Sequence, residues 1–374
     1  MTADTRPNII FIVVDDCGYA DLGCTGQTHY ATPALDRMAA EGVRFTQAYA
    51  NASLCTNTRV ALMTGRYQYR CNLGLVEPLR WVQREMPEMG LPPEVPTLPG
   101  MLRAAGYATA LIGKWHLGYL PRYSPLRSGY DAFFGIMGGF AGYYTHIGDS
   151  GERELDRNQL VDGGSIRIYA EMMEILDRGI GAVLEAVRAG SGRETLVLFT
   201  SDNGGERYSK IWPFVGRKFD LLEGGLRVPQ IAWWPGRIAP GWVSDQVTIT
   251  MDLTATCLEA GGARIDPAWP LDGESLLPHL IAGAPPRERT LYWRMANRAQ
   301  RALRRGDMKY LKVNAQEFLF DLGFDERERD NLAAKQPGLL AELRAAWEAW
   351  DATMLPLKDF GPVSSPSRMG DMLW

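Results

Sequence analysis

The chain has few of the side chains that usually announce a metal or redox centre. It carries four histidines, at positions 29, 116, 146 and 279, and five cysteines, at 17, 24, 55, 71 and 257. The cysteines show no zinc-type pairing, and their odd number leaves at least one thiol free. No apolar run approaches the ~18 residues of a membrane span. The net charge is −4 and there is no basic stripe, which argues against a nucleic-acid partner. The opening MTADTRPNIIFIVVDD lacks a basic start, a long apolar region and a small-residue cleavage site. It does not read as a secretory signal, so the expectation is a cytoplasmic protein with reduced thiols, most of them small core residues. Internal repeats and low-complexity tracts are also missing.

What is present is ordinary globular composition, 46% apolar and 22% charged, in 374 residues, which is longer than a usual single domain. Short apolar runs enter polar or glycine-containing turns. Asn8–Val14 leads into Asp15-Asp16, Ala108–Ile112 into Gly113-Lys114-Trp115-His116, and Thr195–Thr200 into Ser201-Asp202-Asn203-Gly204. Such runs predict strands buried on both faces, in a large, mainly parallel sheet flanked by helices. Helical periodicity alternates with them over Pro33–Glu41 (capped by Thr32), Leu98–Ala105 (started by Thr97) and Ile168–Val187. After about residue 285 the pattern changes. Leu291–Met295, Gln300–Leu303, Lys309–Val313 and Glu317–Leu322 read as four short strands, and Leu339–Met354 as a helix. The expectation is an α/β unit over 1–285, then a small antiparallel sheet with one helix over 286–374, ending in a loose tail.

Ligands in open α/β sheets gather at the carboxyl ends of strands, and three predicted strand ends carry reactive residues. Asp15 and Asp16 are adjacent, so both face one ion only if the backbone turns between them. Asp202 and Asn203 add a carboxylate and a carboxamide at another strand end. Singly, each pair is a commonplace turn; together they offer four oxygen ligands suited to calcium or magnesium. Arg59 follows Cys55 by one helical turn in LCTNTRVALMTGR, Lys114 and His116 are two apart, and Lys218 lies in GRKFDLLEGGLRVP. Cations around such a metal suit a tetrahedral oxyanion. Taken singly, Arg59, Lys114 and Lys218 read as surface residues and His116 as structural. Cys55 alone leaves open core filler, disulfide half, metal ligand and nucleophile.

IIFIVVDD, the Cys55–Arg66 stretch, GKWHLG (113–118), SDNGG (201–205) and Lys218–Pro229 with EGGLRVP stand in an order and spacing that resemble the sulfatase family, within the alkaline-phosphatase-like superfamily. The resemblance runs from near residue 8 to about 325. It implies an alkaline-phosphatase-like fold and hydrolysis of sulfate monoesters of small molecules or saccharides. It further implies that a formylglycine-generating enzyme oxidises Cys55 to formylglycine, whose hydrated aldehyde attacks sulfur with one hydroxyl and expels sulfate with the other. Transferred by position, Asp15, Asp16, Asp202 and Asn203 would bind calcium (or magnesium) together with residue 55. Arg59 would steady the hydrated aldehyde, and Lys114, His116 and Lys218 would hold the sulfate and assist the leaving oxygen.

Two departures stand beside the resemblance. The usual signature reads Cys-x-Pro-Ser-Arg, whereas this chain has Asn57 and Thr58. The segment from Ile147 to Ile168 is shorter and more polar than the strand and Pro-His loop the family places there, which leaves His146, in YYTH, as either a site residue or a structural one. Alternative readings are therefore a phosphate or phosphonate monoester hydrolase of the same superfamily, or a catalytically impaired homologue. Trp81, Trp212, Trp233 and Trp234 line either an aromatic or sugar pocket or the core.

Overall fold

A computed structural model describes residues 6–139, 165–190 and 192–357. Its central sheet has five strands in the order β1 (Asn8–Val14), β6 (Thr195–Ser201), β7 (Gln230–Trp233), β2 (Val43–Phe45) and β8 (Trp242–Ser244). β1 pairs parallel with β6 and β2 parallel with β8, while β7 runs antiparallel to both of its neighbours. Two further parallel pairs, β3 (Ala48–Tyr49) with β9 (Thr248–Ile249) and β4 (Ala110–Lys114) with β5 (Ala132–Ile136), complete this α/β unit.

β6 shows why the strand is central. All seven residues of TLVLFTS are buried, and their pleat alternates between two cores. Leu196 and Leu198 join a cluster with Leu98 and Leu102 of α3 (Leu98–Ala104) and with Leu253, Cys257 and Leu258 of α5 (Thr250–Ala260). Val197 and Phe199 join the opposite cluster, with Leu35 and Met38 of α1 (Pro33–Glu41) and Ile180 and Leu184 of α4 (Ile166–Ala189). The helix α2 (Cys55–Thr64) lies against α5. The α1 and α4 helices are also joined by a cap. Asp177, buried in α4, accepts the backbone N–H groups of Ala34 and Leu35 at 2.9 Å each, satisfying donors that α1 itself cannot pair.

One expectation fails here. The strand read over Ala108–Ile112 is shifted to Ala110–Lys114 and is not buried on both faces: Ile112 is 80% exposed and Phe134 of β5 is 79% exposed. In a two-stranded ribbon, alternate side chains must part. Leu111 and Phe133 pack on the cluster around Trp115, and their neighbours point away from it. Lys114 consequently closes the strand rather than following it.

The C-terminal part has four antiparallel strands in sequence order, β10 (Thr290–Met295), β11 (Gln300–Arg305), β12 (Met308–Val313) and β13 (Gln316–Asp321). Leu303, Tyr310 and Leu319 take Leu340, Leu343 and Trp347 of α6 (Pro337–Asp351) on one face. The other face, with Leu291, Trp293, Ala302, Leu311 and Phe320, enters a core shared with Tyr49, Leu54, Ala61 and Leu226. Buried charge also crosses this boundary. Lys309 meets Glu223 and Glu328 at 2.8 Å each, and Glu223 in turn holds Tyr49 Oη at 2.6 Å and Arg227 Nε at 2.8 Å.

All five cysteines are free thiols. Among the described residues no helix is long and apolar enough to cross a membrane. His146 and most of the segment 147–168, up to residue 164, lie outside the described residues.

Candidate active site

The register of β1 against β6 builds the centre. Val14 pairs with Ser201, and Asp202 N–H donates to Val14 O at 3.1 Å, so the residues that follow each strand emerge side by side. The turn that two adjacent aspartates require is present: Asp16 has φ of 58°, in the left-handed region. Its N–H reaches Asp202 Oδ1 at 3.3 Å. Ligand atoms of Asp15, Cys55 and Asp202 all lie within 4.8 Å of one another. Asn203 donates Nδ2 to Asp16 Oδ1 at 2.8 Å and to Gly204 O at 2.9 Å, while its Oδ1 is buried with no hydrogen-bond partner.

Glycines bring the second loop close. A Cβ on Gly204 would stand 2.0 Å from Gly224 O, so only glycine lets SDNGG and EGG lie backbone to backbone. Gly204 N–H donates to Gly225 O at 2.9 Å and Lys218 N–H to Gly205 O at 3.1 Å. This contact delivers Lys218 to Asp16, with Nζ at 2.6 and 2.8 Å from the two carboxylate oxygens.

Cys55 opens α2 directly after Leu54, whose backbone is extended. The first-turn N–H groups of a helix have no acceptors within it and favour nearby negative charge. Thr58 exchanges hydrogen bonds with Ala52, its Oγ1 accepting from N and donating to O at 3.0 Å each, which fixes the approach to the helix. Asn57, in the place of the usual proline, donates Nδ2 to Gly74 O at 2.9 Å and Val76 O at 3.0 Å. Arg59, one turn after Cys55, sends Nε and Nη2 to Asp202 Oδ2 at 3.0 and 2.9 Å and Nη1 to Lys114 O at 3.0 Å.

Charge balance in this group is uneven. Burial and then repulsion from Asp15 hold the Asp202 carboxyl well above the ordinary carboxylate range. Burial acts on Asp15 in the same sense, but Lys114, Lys218 and Arg59 outweigh it and hold Asp15 well below that range. Lys114 Nζ lies 2.8 and 2.9 Å from the Asp15 oxygens. Three carboxylates, Asp15, Asp16 and the wholly buried Asp202, with the partnerless amide oxygen of Asn203, form an oxygen donor set that fits a hard cation such as calcium.

His116 behaves differently from an extended neighbour of Lys114, because its φ is 58° and the chain turns there. Its Nε2 lies 2.9 Å from Leu79 O and 3.1 Å from Thr56 Oγ1, and its Nδ1 is buried without a partner. The contact with a carbonyl makes Nε2 the protonated nitrogen. Burial, then Lys114, push the ring's pKa down to about 3, so the imidazole is neutral.

Asp15, Asp16, Cys55, Arg59, Lys114, Asp202, Asn203 and Lys218 thus come together, with His116 in contact with Thr56. Trp233 and Trp234 are core residues at 3% exposure each, whereas Trp212 is 58% exposed with Arg327 over its ring at 4.6 Å. Trp81 packs edge-on against Tyr119. Sequence reading missed the support residues Thr56, Ser201 and Asp21. Ser201 Oγ bonds Cys17 N–H at 3.0 Å, and Asp21 accepts Gly18 N–H at 2.7 Å and Tyr169 Oη at 2.6 Å, bracing the chain after Asp16. Only the adjacency of Asp21 and Ser201 to the Asp-Asp and Asp-Asn pairs signals them in sequence.

Comparison with known proteins agrees with this geometry. A model of the Sulfatase family matches residues 7–152 and 139–263. The chain is 31% identical over 350 residues to N-acetylgalactosamine-6-sulfatase of Mus musculus, covering 75% of this chain and 67% of that protein. It is 32% identical over 376 residues to arylsulfatase A of Homo sapiens, covering 77% and 70%. Among solved structures, Ps i-CgsB in complex with k-i-k-neocarrahexaose superposes with a TM-score of 0.80 at 26% identity, over 92% of each chain. The phosphonate monoester hydrolase of Agrobacterium radiobacter shares the fold, with a TM-score of 0.65 at 18% identity over 93% of this chain and 96% of that one. With signature, strand-end carboxylates and surrounding cations on one sheet edge, the chain belongs to the sulfatase family and is a hydrolase of sulfuric esters.

Proposed function

We propose that this enzyme cleaves sulfate monoesters of saccharides, using a formylglycine made from Cys55 by a formylglycine-generating enzyme and a calcium ion held by Asp15, Asp16, Asp202 and Asn203. The observation that carries the metal is the buried, unpaired Oδ1 of Asn203 beside the wholly buried Asp202. An orphaned amide oxygen and a carboxyl forced upward by its neighbours are both relieved by a cation. Bound there, calcium supplies positive charge where the ester's oxygens gather.

The remaining roles belong to the chain. Lys114 and Lys218 each carry three N–H donors, more than one carboxylate requires, so each retains one for a sulfate oxygen. Arg59, locked on Asp202 and on Lys114 O, fixes their relative position and adds charge beside residue 55. The N-terminus of α2 contributes its dipole at the same point. Neutral His116, with Nε2 committed to Leu79 O and next to Thr56 Oγ1, fixes the first turn of α2 and so positions residue 55. Residues 1–285 form the catalytic unit in this reading, and 286–374 the smaller one.

The saccharide class rests on the relatives, one named for an N-acetylgalactosamine 6-sulfate and one solved with k-i-k-neocarrahexaose. The test is turnover of N-acetylgalactosamine 6-sulfate, an aryl sulfate and an aryl phosphonate monoester side by side, with the mass of the Cys55 peptide measured on the same protein. Preference for the phosphonate together with an intact thiol rejects the proposal.

A further inference from the structure

The opposite end of α2 faces a cavity of about 450 Å³, within the size range of small-ligand pockets. Three arginines line it: Arg66, Arg70 and Arg122; Tyr123 and Trp269 give it aromatic walls, and Glu88 is the one acid among its lining residues. α2 has ten residues, so Thr64 at the cavity stands about 14 Å from Cys55 along the helix axis, by the rise of ~1.5 Å per residue. A single sugar cannot touch both places.

The three arginines are unequal. Arg70 holds Asp272 in a fork, Nε to Oδ2 at 2.7 Å and Nη2 to Oδ1 at 2.9 Å. Asp272 Oδ2 also accepts Tyr67 N–H at 2.9 Å, so both oxygens of that acid are engaged. Arg66 is left with its Nε buried and without a hydrogen-bond partner, its guanidinium 4.8 Å from the centre of the Trp269 ring. Arg122 lies 5.4 Å from the Tyr123 ring centre and makes no ion pair with a described residue. A buried guanidinium N–H without an acceptor is costly, and stacked arginines present their forks to planar or tetrahedral oxyanions. Burial and then the neighbouring Arg70 lower the Arg66 pKa, and Asp272 only partly opposes them.

We propose that this cavity is a second binding site, taking a sulfated sugar residue of an oligosaccharide whose other sulfate is cleaved at Cys55 or on another enzyme molecule. The arginine forks would hold the sulfate while the partly exposed Trp269 packs on the sugar's C–H face. The proposal rests on the saccharide reading above. A second point of attachment raises the effective concentration of a polymeric ester at the catalytic centre without touching the chemistry.

The experiment is equilibrium binding of a chondroitin 6-sulfate hexasaccharide, with the unsulfated chondroitin hexasaccharide as control, to wild type, Arg66→Ala/Arg122→Ala and Lys114→Ala/Lys218→Ala proteins. The lysine variant should still bind the sulfated probe. The arginine variant should lose at least tenfold in affinity for it. Because Arg66 closes the signature stretch, activity is compared on Arg122→Ala alone, whose kcat and KM on a small aryl sulfate should stay at wild-type values while its affinity for the hexasaccharide falls. Unchanged affinity in the arginine variant, or equal affinity of wild type for the unsulfated hexasaccharide, overturns the proposal. If the alanine pair does not fold, Arg66→Lys/Arg122→Lys keeps the charge but not the planar fork and should bind at least threefold more weakly; equal binding there also overturns it. Failure of the saccharide reading is seen separately, as absence of sugar-sulfate turnover in wild type.

Discussion

Asn203 donates its amide to Asp16 Oδ1 at 2.8 Å, joining the end of one strand to the end of its neighbour and leaving its own Oδ1 buried and unpaired. A calcium ion that uses this oxygen must stabilise the fold by mass action, about 2.7 kcal/mol at a hundredfold excess over its dissociation constant. Chelation should therefore lower the melting temperature of the wild-type enzyme and leave Asn203→Leu nearly unmoved. Equal shifts in the two proteins, followed by scanning fluorimetry, would remove Asn203 from the metal site.

Lys114 tests the anion-binding half of the site. Its ammonium is 10% exposed and bridges to Asp15, with Arg59 Nη2 a further 3.6 Å from the same carboxylate. Lys114→Met should lower kcat/KM on an aryl sulfate by ~10²–10³, as loss of one preorganised donor does elsewhere. Because Arg59 still faces Asp15, the protein should remain folded. A loss below tenfold in steady-state assays would place the lysine outside the substrate's reach.

His116 makes a pH prediction with a definite sign. Its folded pKa, about 3, is depressed from an ordinary 6.5, so the folded state binds fewer protons than the unfolded chain. The stability this residue contributes is present above about pH 6.5 and is lost as pH falls toward 3, on the order of 4 kcal/mol over the window. Urea melts at several pH values should show this slope in wild type and a flatter one in His116→Asn. The same depression means that His116 puts no inflection in the rate profile between pH 5 and 8.

Apolar runs bounded by acidic turns made the β1 and β6 ends readable, because parallel register follows from the runs themselves and carries Asp15 and Asp202 together. The local period likewise marked α1, whose bounds coincide with Pro33–Glu41. Pairings between distant polar side chains leave no such trace. Arg59 with Asp202 is 143 residues apart and Lys309 with Glu223 is 86. Neither partner carries a pattern that names the other. The exposure of Ile112 was equally hidden, since a half-covered ribbon and a central strand share one apolar composition.

Lys309 offers the clearest test of the buried charges behind the Lys218 loop. It is 1% exposed between Glu223 and Glu328, both fully buried. Glu223 keeps Arg227 and Tyr49 when the lysine goes, but Glu328 loses its ion-pair partner. Lys309→Met should therefore cost about 3–5 kcal/mol, the usual result of breaking a buried pair from one side. Lys309→Met/Glu328→Gln should recover part of that loss. Chemical denaturation decides it, and a double variant no better than the single one would show that Glu328 is not the stranded charge.

Asn57 closes the argument about the signature. It is 2% exposed, three residues into α2, and its amide is the link between the helix's first turn and the carbonyls of Gly74 and Val76. Proline is tolerated in a first helical turn, where backbone N–H groups have no intrahelical acceptor, so Asn57→Pro should fold. It would leave two buried carbonyls unpaired, at a cost of about 1–3 kcal/mol each when no water replaces the bond. Asn57→Ala should lose the same bonds without restoring the family's residue. Co-expressed with a formylglycine-generating enzyme, Asn57→Pro should then show a lower unfolding midpoint than wild type but a larger converted fraction of Cys55 by peptide mass, and Asn57→Ala only the lower midpoint. If wild type is already fully converted, or if proline raises no conversion, the modifying enzyme does not need this proline, and Asn57 serves only to anchor the helix.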